Sequence, residues 1–358
     1  MFERFFRRGP STFQVQLTPG QATLTVSKDE SILQAALREG LPFPHNCRVG
    51  GCGECKCRLV SGQVKEMTDK SYLLSAEELQ QHYILACQSR PRSDLVVEVA
   101  LKPTADTRSR VDTPARLTGL QPLTGDILHL VLTLDRPLNY RAGQCVDLVV
   151  PAAAGGPGDE TRRYSLASAP DASHGQHIEL FIRHVPGGRF TDWLFRHARP
   201  GDTLQVQGPS GDFTLPKGER PLLCVAGGSG LAPLKALLEQ AIRDGQHRRP
   251  LTLAIGARTQ RDLYAQDHIG QWQRAWQGPF HVEAVLSAEP DGSDWGGRRG
   301  WLADHIVALA HGDLTGWDAA LCGPPAMIDT CTDRLRAAGL PADRLHADRF
   351  VDLSNSAG

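Results

Sequence analysis

The pattern of apolar and polar residues divides the chain into three stretches with different rhythms. In the first, two alternating runs, Thr12–Leu17 and Ala22–Val26, predict the strands of a β-hairpin. Asp29 or Ser31 can then cap a short amphipathic helix. A further alternating run, Leu95–Ala100, predicts a closing strand, so we expect this stretch to form one small α+β domain.

The rest of the chain changes rhythm twice. Residues 111–217 contain short apolar runs interrupted by proline and glycine, which predicts a small antiparallel β-barrel. From about residue 218, apolar runs alternate with helical patterns, which predicts a parallel sheet with helices on both faces. We therefore expect a multidomain protein with domains at residues 1–102, 111–217 and 218–358 and a linker at residues 103–110. The predicted strands are Ile127–Leu134, Gln144–Val150, Ile178–Arg183 and Thr203–Gln207 in the barrel, and Leu222–Ala226, Leu251–Ile255, His281–Leu286, Ala319–Cys322 and Arg344–His346 in the sheet.

Length and charge fit this division and exclude some classes of protein. The chain has 358 residues, enough for two or three domains. Its 39 Lys and Arg residues against 40 Asp and Glu residues give a net charge of -1, which argues against a nucleic-acid partner. No apolar run approaches the roughly 18 residues of a membrane span, and residues 1–10 carry no secretory signal, so we expect a cytoplasmic protein.

The cysteines indicate a metal centre. Five of the nine lie between Cys47 and Cys87, and in a reducing compartment such clustering favours metal over disulfides. The spacing Cys47-x₄-Cys52-x₂-Cys55, followed later by Cys87, is that of a plant-type 2Fe–2S cluster. Zinc is the alternative, although a zinc ribbon would carry a second C-x₂-C pair. We expect Cys57 to be a core thiol and not a ligand. Most of residues 12–100 resemble the β-grasp ferredoxins.

A second motif indicates a flavin. Arg162-Arg-Tyr164-Ser165 matches the R-x-Y-S pattern of the ferredoxin-reductase family, which the chain also resembles in the order of its later motifs. The resemblance implies that Arg162 pairs with the FAD diphosphate, that Tyr164 lies against the isoalloxazine ring, and that Ser165 is catalytic, with its hydroxyl near flavin N5. The alternative is a core tyrosine beside a surface arginine. FAD is expected over FMN because the downstream glycine motif belongs to the FAD-type members. The other FAD-binding residues that the resemblance implies are Arg183, Gly187, Gly188 and Thr191.

A third motif indicates a nicotinamide dinucleotide. The predicted strand Leu222–Ala226 runs into a glycine turn and a helical pattern, an arrangement that binds phosphates. Further on, Asp262 can accept hydrogen bonds from ribose hydroxyls and repel a 2′-phosphate, which favours NADH. Arg258 and Arg261 could instead bind that phosphate, so NADPH is the alternative coenzyme. The residues of the turn are Gly227, Gly228, Ser229, Gly230 and Pro233.

Two elements near the C-terminus complete the resemblance. Cys322-Gly323-Pro324 begins the family's C-G-P-P element, which implies that Cys322 is catalytic, with its thiol beside the nicotinamide. Its role would be positional, not nucleophilic, and the alternative is a buried cysteine at a strand end. The pattern H-x-(D/E)-x-F ends at Phe350, which is expected to cover the flavin until nicotinamide displaces it.

Electron counting explains why the three parts share one chain. Nicotinamide gives electrons in pairs, an iron–sulfur cluster takes them singly, and flavin can do both. Residues 12–350 resemble the NADH-dependent reductase components of multicomponent oxygenases, such as the benzoate dioxygenase, phenol hydroxylase and xylene monooxygenase systems. This resemblance implies a separate oxygenase, or another one-electron acceptor protein, as partner. A desaturase or a deoxysugar dehydratase could take its place, and the remaining alternative is a non-catalytic iron–sulfur or nucleotide-binding protein.

The N-terminus suggests one further contact. Residues 1–9 combine three phenylalanines with three arginines, which suits weak binding to an anionic membrane surface or to a membrane-embedded partner. A terminus that is frayed, or that docks locally on its own domain, is the simpler interpretation.

Overall fold

The computed structural model describes residues 11–350 except 21, 46–49, 51–52, 72, 102–109, 153–154, 157, 159, 171–174, 212 and 311–312. The chain forms two compact units that divide near residue 108. Two of the predicted cluster ligands, Cys47 and Cys52, lie outside the described residues, as do residues 1–9 and all of the expected linker except Arg110. No helix in the described part is long and apolar enough to cross a membrane.

The first unit is a small sheet with a helix packed against it. The sheet has the order β2-β1-β7-β3-β5, with β1 and β7 parallel, and β4 and β6 pair separately. The predicted hairpin is confirmed, since β1 and β2 pair antiparallel, with Thr12 opposite Ser27 and Leu17 opposite Ala22. The elements are β1 Thr12–Thr18, β2 Ala22–Ser27, α1 Ile32–Arg38, β3 Lys56–Ser61, β4 Val64–Glu66, α2 Ala76–Gln80, β5 Tyr83–Leu85, β6 Ser89–Pro91 and β7 Leu95–Glu98.

Local sequence explains the central layer of this unit. The inward residues of the hairpin are fully buried, and they share a core with the buried face of α1. Ser31 caps α1, accepting from the N–H of Gln34 while the Gln34 side chain accepts from the N–H of Ser31. The chain leaves the helix at Gly40, whose φ of +73° suits glycine. This core supports the segment that carries the cysteines.

The second unit begins with the predicted antiparallel barrel, which is confirmed. Its strand order is β11-β10-β13-β8-β9-β12, and a bridge between Leu166 and Leu180 brings the two edges together. Helix α3 buries Phe190, Trp193 and Leu194 in the barrel core. The elements are β8 Val111–Pro122, β9 Ile127–Leu134, β10 Cys145–Val149, β11 Thr161–Ser165, β12 His177–Arg183, α3 Arg189–Arg196 and β13 Thr203–Ser210.

A six-stranded parallel sheet follows in the same unit, in the order β17-β16-β15-β14-β18-β19. Cys224 belongs to the core under α4 and α5, whereas Leu223 and Val225 belong to the core under α6 and α7. Because both faces are covered, the central strands β14, β15 and β18 are mostly apolar and buried, as predicted. The elements are β14 Leu222–Gly227, α4 Leu231–Arg243, β15 Leu251–Ala257, α5 Gln266–Ala275, β16 Phe280–Leu286, β17 Arg298–Arg299, α6 Leu302–Leu309, β18 Asp318–Gly323, α7 Pro325–Ala337 and β19 Leu345–Arg349.

The barrel and the parallel sheet are held together by a buried lysine. Lys235 on α4 is 2% exposed, and its ammonium donates to the carbonyl of Ala167 in the barrel at 3.0 Å. The same nitrogen lies 3.3 Å from the carboxylate of Glu179 on β12. A buried ammonium is stable only with such partners, so this contact fixes the position of α4 against the barrel.

Candidate cofactor sites

Two of the four predicted cluster ligands lie side by side in the first unit. The thiols of Cys55 and Cys87 are buried and 3.3 Å apart. The N–H of Ala86 donates to the carbonyl of Cys55 at 3.0 Å, which holds the two segments together. Two thiols at this separation can ligate one iron atom, so the described half of the set fits a cluster. The sulfur of Cys57 lies 3.8 Å from the carbonyl oxygen of Ile84, in the core of the unit.

A hydroxyl beside these segments has no partner among the described residues. The Oγ1 of Thr68 is buried and makes no hydrogen bond within the part of the chain that the structure describes. A Cβ on Gly50, in the loop of the first ligands, would lie 3.2 Å from this oxygen and 2.7 Å from Cγ of Gln88, next to the fourth ligand. Gly50 therefore lies next to both Thr68 and Gln88, which places the Thr68 hydroxyl beside the loop of the first ligands. A donor in this place fits a group with sulfur acceptors, because a buried hydroxyl without a partner is otherwise costly.

The R-x-Y-S segment forms β11, at the edge of the barrel next to β10. The ring of Tyr164 is half-buried and packs against Phe190, with ring centroids 5.7 Å apart. The hydroxyl of Ser165 donates to the Oδ2 of Asp348 at 3.2 Å. A residue of the barrel and a residue of the last sheet strand thus meet at the predicted flavin position.

Two arginines near β11 share a carboxylate. Glu160 lies 2.9 Å from Arg162 and 3.2 Å from Arg189, the first residue of α3. Gly188 precedes α3 and supplies no side-chain cap, so the first N–H groups of the helix can bind an anion. Two guanidinium groups beside an uncapped helix end fit the diphosphate of FAD.

The remaining residues of this motif shape the turn before α3. Gly187 adopts a φ of +77°, a conformation that suits glycine. The hydroxyl of Thr191 is buried, accepts from the N–H of Val185 at 3.1 Å and lies 3.0 Å from the Val185 carbonyl oxygen. The visible role of Thr191 is therefore to hold the turn that presents the helix end.

The glycine turn follows β14, the strand at which the order of the strands in the parallel sheet changes direction. Strand β14 has β15 on one side and β18 on the other, and ligands of such sheets bind at the carboxyl ends of these strands. A Cβ on Gly230 would lie 2.2 Å from the carbonyl oxygen of Cys322, and a Cβ on Gly323 would lie 3.1 Å from the Cα of Gly227. Only glycines allow the two backbones to approach this closely, and α4 begins there without a side-chain cap.

Three side chains from three strands meet beside this turn. Cys322 is fully buried on β18, directly opposite Asp348 on β19, which also accepts from Ser165. Burial, and then the negative charge of Asp348, raise the pKa of the Cys322 thiol well above its usual value. Cys322 is therefore a neutral thiol at pH 7. The N–H of Phe350 donates to the carbonyl of Gly323 at 2.8 Å, which fixes the chain just beyond Asp348.

Asp348 was not among the residues predicted from sequence, although its motif was recognised. The pattern H-x-(D/E)-x-F contains it, but the resemblance implies a role only for Phe350. The sequence alone does not indicate the contact between Asp348 and Ser165, because 183 positions separate the two residues.

The predicted residues Arg183, Arg258 and Asp262 form a charged group with Asp126, which the sequence had not indicated. Asp126 lies 3.0 Å from Arg183 and 3.2 Å from Arg258. Asp262 lies 3.4 Å from Arg258, and its other oxygen accepts from the N–H and hydroxyl of Thr259. One oxygen of Asp262 is therefore committed to the local turn. Burial opposes the charge of Asp126, but Thr124, Arg183 and Arg258 outweigh it and lower the pKa of that carboxyl.

Comparison with known families identifies the three parts. The chain matches the 2Fe–2S iron–sulfur cluster binding domain at residues 15–92, the oxidoreductase FAD-binding domain at residues 114–215 and the oxidoreductase NAD-binding domain at residues 224–333. The expected cofactors, a 2Fe–2S cluster, FAD and a nicotinamide dinucleotide, are thus confirmed.

Relatives and solved structures match over nearly the whole chain. The xylene/toluene monooxygenase electron transfer component of Pseudomonas putida is 36% identical, covering 91% of this chain and 90% of its own. The reductase component of phenol 2-monooxygenase from a Pseudomonas species is 32% identical over 97% of both chains. The crystal structure of an Amycolatopsis cytochrome P450 reductase superposes with a TM-score of 0.77 at 33% identity, covering 96% of this chain and 100% of its own.

Proposed function

The chain belongs to the family of electron-transfer reductase components of multicomponent oxygenases, with 2Fe–2S, FAD and NAD domains, and we propose that it carries electrons from NADH to a separate oxygenase polypeptide. FAD supplies the conversion of electron pairs into single electrons when it is bound. The observation that carries the proposal is the meeting of Ser165, Asp348 and Cys322, which brings the flavin barrel and the nucleotide sheet to one point.

We propose that the barrel residues bind and orient FAD. Arg162 and Arg189 would hold its diphosphate at the uncapped end of α3, and Tyr164 would support the ring system. The Ser165 hydroxyl, held by Asp348, would keep its oxygen aimed at the flavin. Such preorganised polar groups cost no rearrangement at the moment of reaction.

We propose that the sheet residues place the nicotinamide. The glycine turn and the first N–H groups of α4 would bind the dinucleotide phosphates. The buried, neutral thiol of Cys322 would restrict the positions that the nicotinamide can adopt beside the flavin, and it would exclude water. Four thiolates, from Cys47, Cys52, Cys55 and Cys87, would hold the cluster.

The domain limits follow the same assignment. We propose a ferredoxin domain at residues 1–102, a linker at 103–110, an FAD domain at 111–217 and an NAD domain at 218–358. Limited proteolysis of the holoprotein should cut first within residues 103–110.

Steady-state kinetics test the coenzyme and the partner. With NADH, the holoprotein should reduce ferricyanide and cytochrome c with a higher kcat/KM than with NADPH. Added to a purified hydroxylase of the xylene monooxygenase type, it should support NADH-dependent product formation. Absence of NADH oxidation would contradict the proposal, and product formation only with a cytochrome P450 would move the partner to another oxygenase class.

A separate hypothesis is that residues 1–9 bind weakly to a membrane surface. Their mixture of phenylalanine and arginine suits binding to an anionic surface. Deletion of residues 1–9 should reduce co-sedimentation with phosphatidylserine vesicles and leave ferricyanide reduction unchanged. Equal sedimentation of both forms would remove the hypothesis.

A further inference from the structure

One carboxylate joins the flavin barrel to the nucleotide sheet through two arginines. Asp126 lies in the turn between β8 and β9, and its Oδ2 is 3.0 Å from Nε of Arg183 at the end of β12. The same oxygen is 3.2 Å from a terminal nitrogen of Arg258, which follows β15. Two positive groups from different parts of the unit are therefore held by a single oxygen atom.

Asp126 is itself fixed in place. Its other carboxylate oxygen accepts from the hydroxyl of Thr124 at 2.9 Å, and its carbonyl accepts from the N–H of His184 at 2.8 Å. The residue is partly buried, with 24% of its side chain exposed. A carboxylate held in this way can fix the orientation of its arginines, since bonds to charged groups are the stronger ones.

Both arginines lie at the carboxyl edge of the sheet, by the glycine turn. Gly256 pairs with Gly227 in the sheet, and Arg258 comes two residues later. A Cβ on Gly228 would lie 3.8 Å from NH1 of Arg183. Helix α4 begins at this turn without a side-chain cap. The guanidinium groups and the helix end therefore bring positive charge to one place.

The contacts of Asp126 leave most donors of these guanidinium groups available. Asp126 uses Nε of Arg183, and neither terminal nitrogen of Arg183 has a protein partner in the described part of the chain. Two guanidinium groups repel each other, so their closeness depends on the carboxylate between them. A planar fork of donors is suited to phosphate oxygens.

We propose that Asp126 is a positioning residue for NADH: its carboxylate holds Arg183 and Arg258 side by side at the glycine turn, where their free N–H groups bind the coenzyme diphosphate. This inference rests on the proposed function and extends it. It gives Arg258 a contact with the diphosphate, instead of the contact with a 2′-phosphate that the sequence offered as the alternative. Arg183 would then contact the nucleotide in addition to Asp126 of the flavin barrel.

Replacing the carboxylate by a neutral amide tests the proposal. In the FAD-loaded Asp126→Asn protein, the KM for NADH in ferricyanide reduction should rise about tenfold, with kcat within twofold of wild type. The affinity for ADP-ribose, measured by calorimetry, should fall by a similar factor. Asp135→Asn, at the opposite end of β9, is the matched control and should change neither value.

A double-mutant cycle shows whether Asp126 acts through Arg258. Arg258→Ala should raise KM, and adding Asp126→Asn to it should raise KM much less than Asp126→Asn does in wild type. Asp126→Glu should restore part of the affinity. Additive effects, or unchanged KM and ADP-ribose affinity in Asp126→Asn, would overturn the inference. Wild-type protein that binds ADP-ribose but does not oxidise NADH would instead count against the proposed function, so the two failures are distinguishable.

Discussion

The iron–sulfur unit and the flavin–nucleotide unit are built on different principles. In the first, three of the four expected ligands fall within nine positions of the chain, from Cys47 to Cys55, and the fourth is supplied by one later segment. In the second, Ser165 and Asp348 are 183 positions apart. Asp126 likewise joins Arg183 of the barrel to Arg258 of the parallel sheet. A cluster can be bound by one short loop and one further cysteine. Hydride transfer instead requires two large cofactors, which are held by separate parts of the fold.

The largest effect should come from removing a cluster ligand. Cys87→Ser should abolish cluster absorbance and cytochrome c reduction, because an alcohol is a poor replacement for a thiolate ligand. Ferricyanide reduction should persist, since the flavin–nucleotide unit is built from other residues. Spectra and the two assays on one preparation measure this.

Cys57→Ala is the control for that experiment, as Cys57 lies in the same core but is expected not to bind iron. Full loss of the cluster in Cys57→Ala, with the fold intact by circular dichroism, would contradict the ligand assignment.

The next largest effect should come from Cys322→Ala. Loss of the thiol would let the nicotinamide adopt less productive positions, so flavin reduction should slow by about 100-fold with little change in NADH affinity. Anaerobic stopped-flow absorbance measures both quantities. Cys224→Ala removes another fully buried cysteine, on the neighbouring strand, and should leave the rate near wild type. Equal rates for the two variants would show that Cys322 only fills the core.

A stability effect should appear where the barrel meets α4. His129 and Lys235 outweigh the burial that opposes the charge of Glu179 and lower its pKa to about 2. Since this value is below that of the unfolded chain, the stabilisation is complete above about pH 5 and is lost as the pH falls toward 2. Glu179→Gln should therefore lower the free energy of unfolding at pH 7 by about 2 kcal/mol and flatten the acid dependence.

Urea denaturation at pH 7 and pH 4 measures this dependence. Glu283→Gln is the control, because Glu283 lies 3.8 Å from Arg298 with both side chains partly exposed, and its loss should cost under about 0.5 kcal/mol. A pH dependence identical to wild type in Glu179→Gln would refute the assignment.

The smallest effect should come from Thr68. If its hydroxyl donates to a sulfur of the cluster, Thr68→Val should lower the midpoint potential, because a donor stabilises the more negative reduced state. Thr68→Ser keeps the donor and should keep the potential. Redox titration followed by electron paramagnetic resonance measures both variants, and equal potentials would contradict the proposed contact.

Sequence predicted the elements that have a regular apolar pattern. Strand β9 matches its expected bounds of Ile127–Leu134, and the hairpin and parallel sheet are also as expected. Strand β11, Thr161–Ser165, was missed because its residues are polar or only partly buried, which is what a strand lining a binding site requires. Strand β19 extends to Arg349, beyond the predicted His346, because polar residues continue it into the site.

The site was predicted to the extent that its chemistry lies in short motifs. Three functional residues were not predicted, namely Asp126, Asp348 and Lys235. The local sequence around them does not indicate which distant residues they contact. Their importance depends on contacts across 56 to 183 positions of sequence. Such contacts are set by the packing of layers and are therefore outside the reach of local patterns.

The most direct test of the central claim is an anaerobic titration of the holoprotein with NADH, followed by absorbance and electron paramagnetic resonance. Passage of electrons from NADH through FAD to the cluster predicts that flavin absorbance bleaches and that a signal of about one reduced 2Fe–2S cluster per chain appears. Bleaching of the flavin without that signal, or no reaction with NADH at all, would contradict the account.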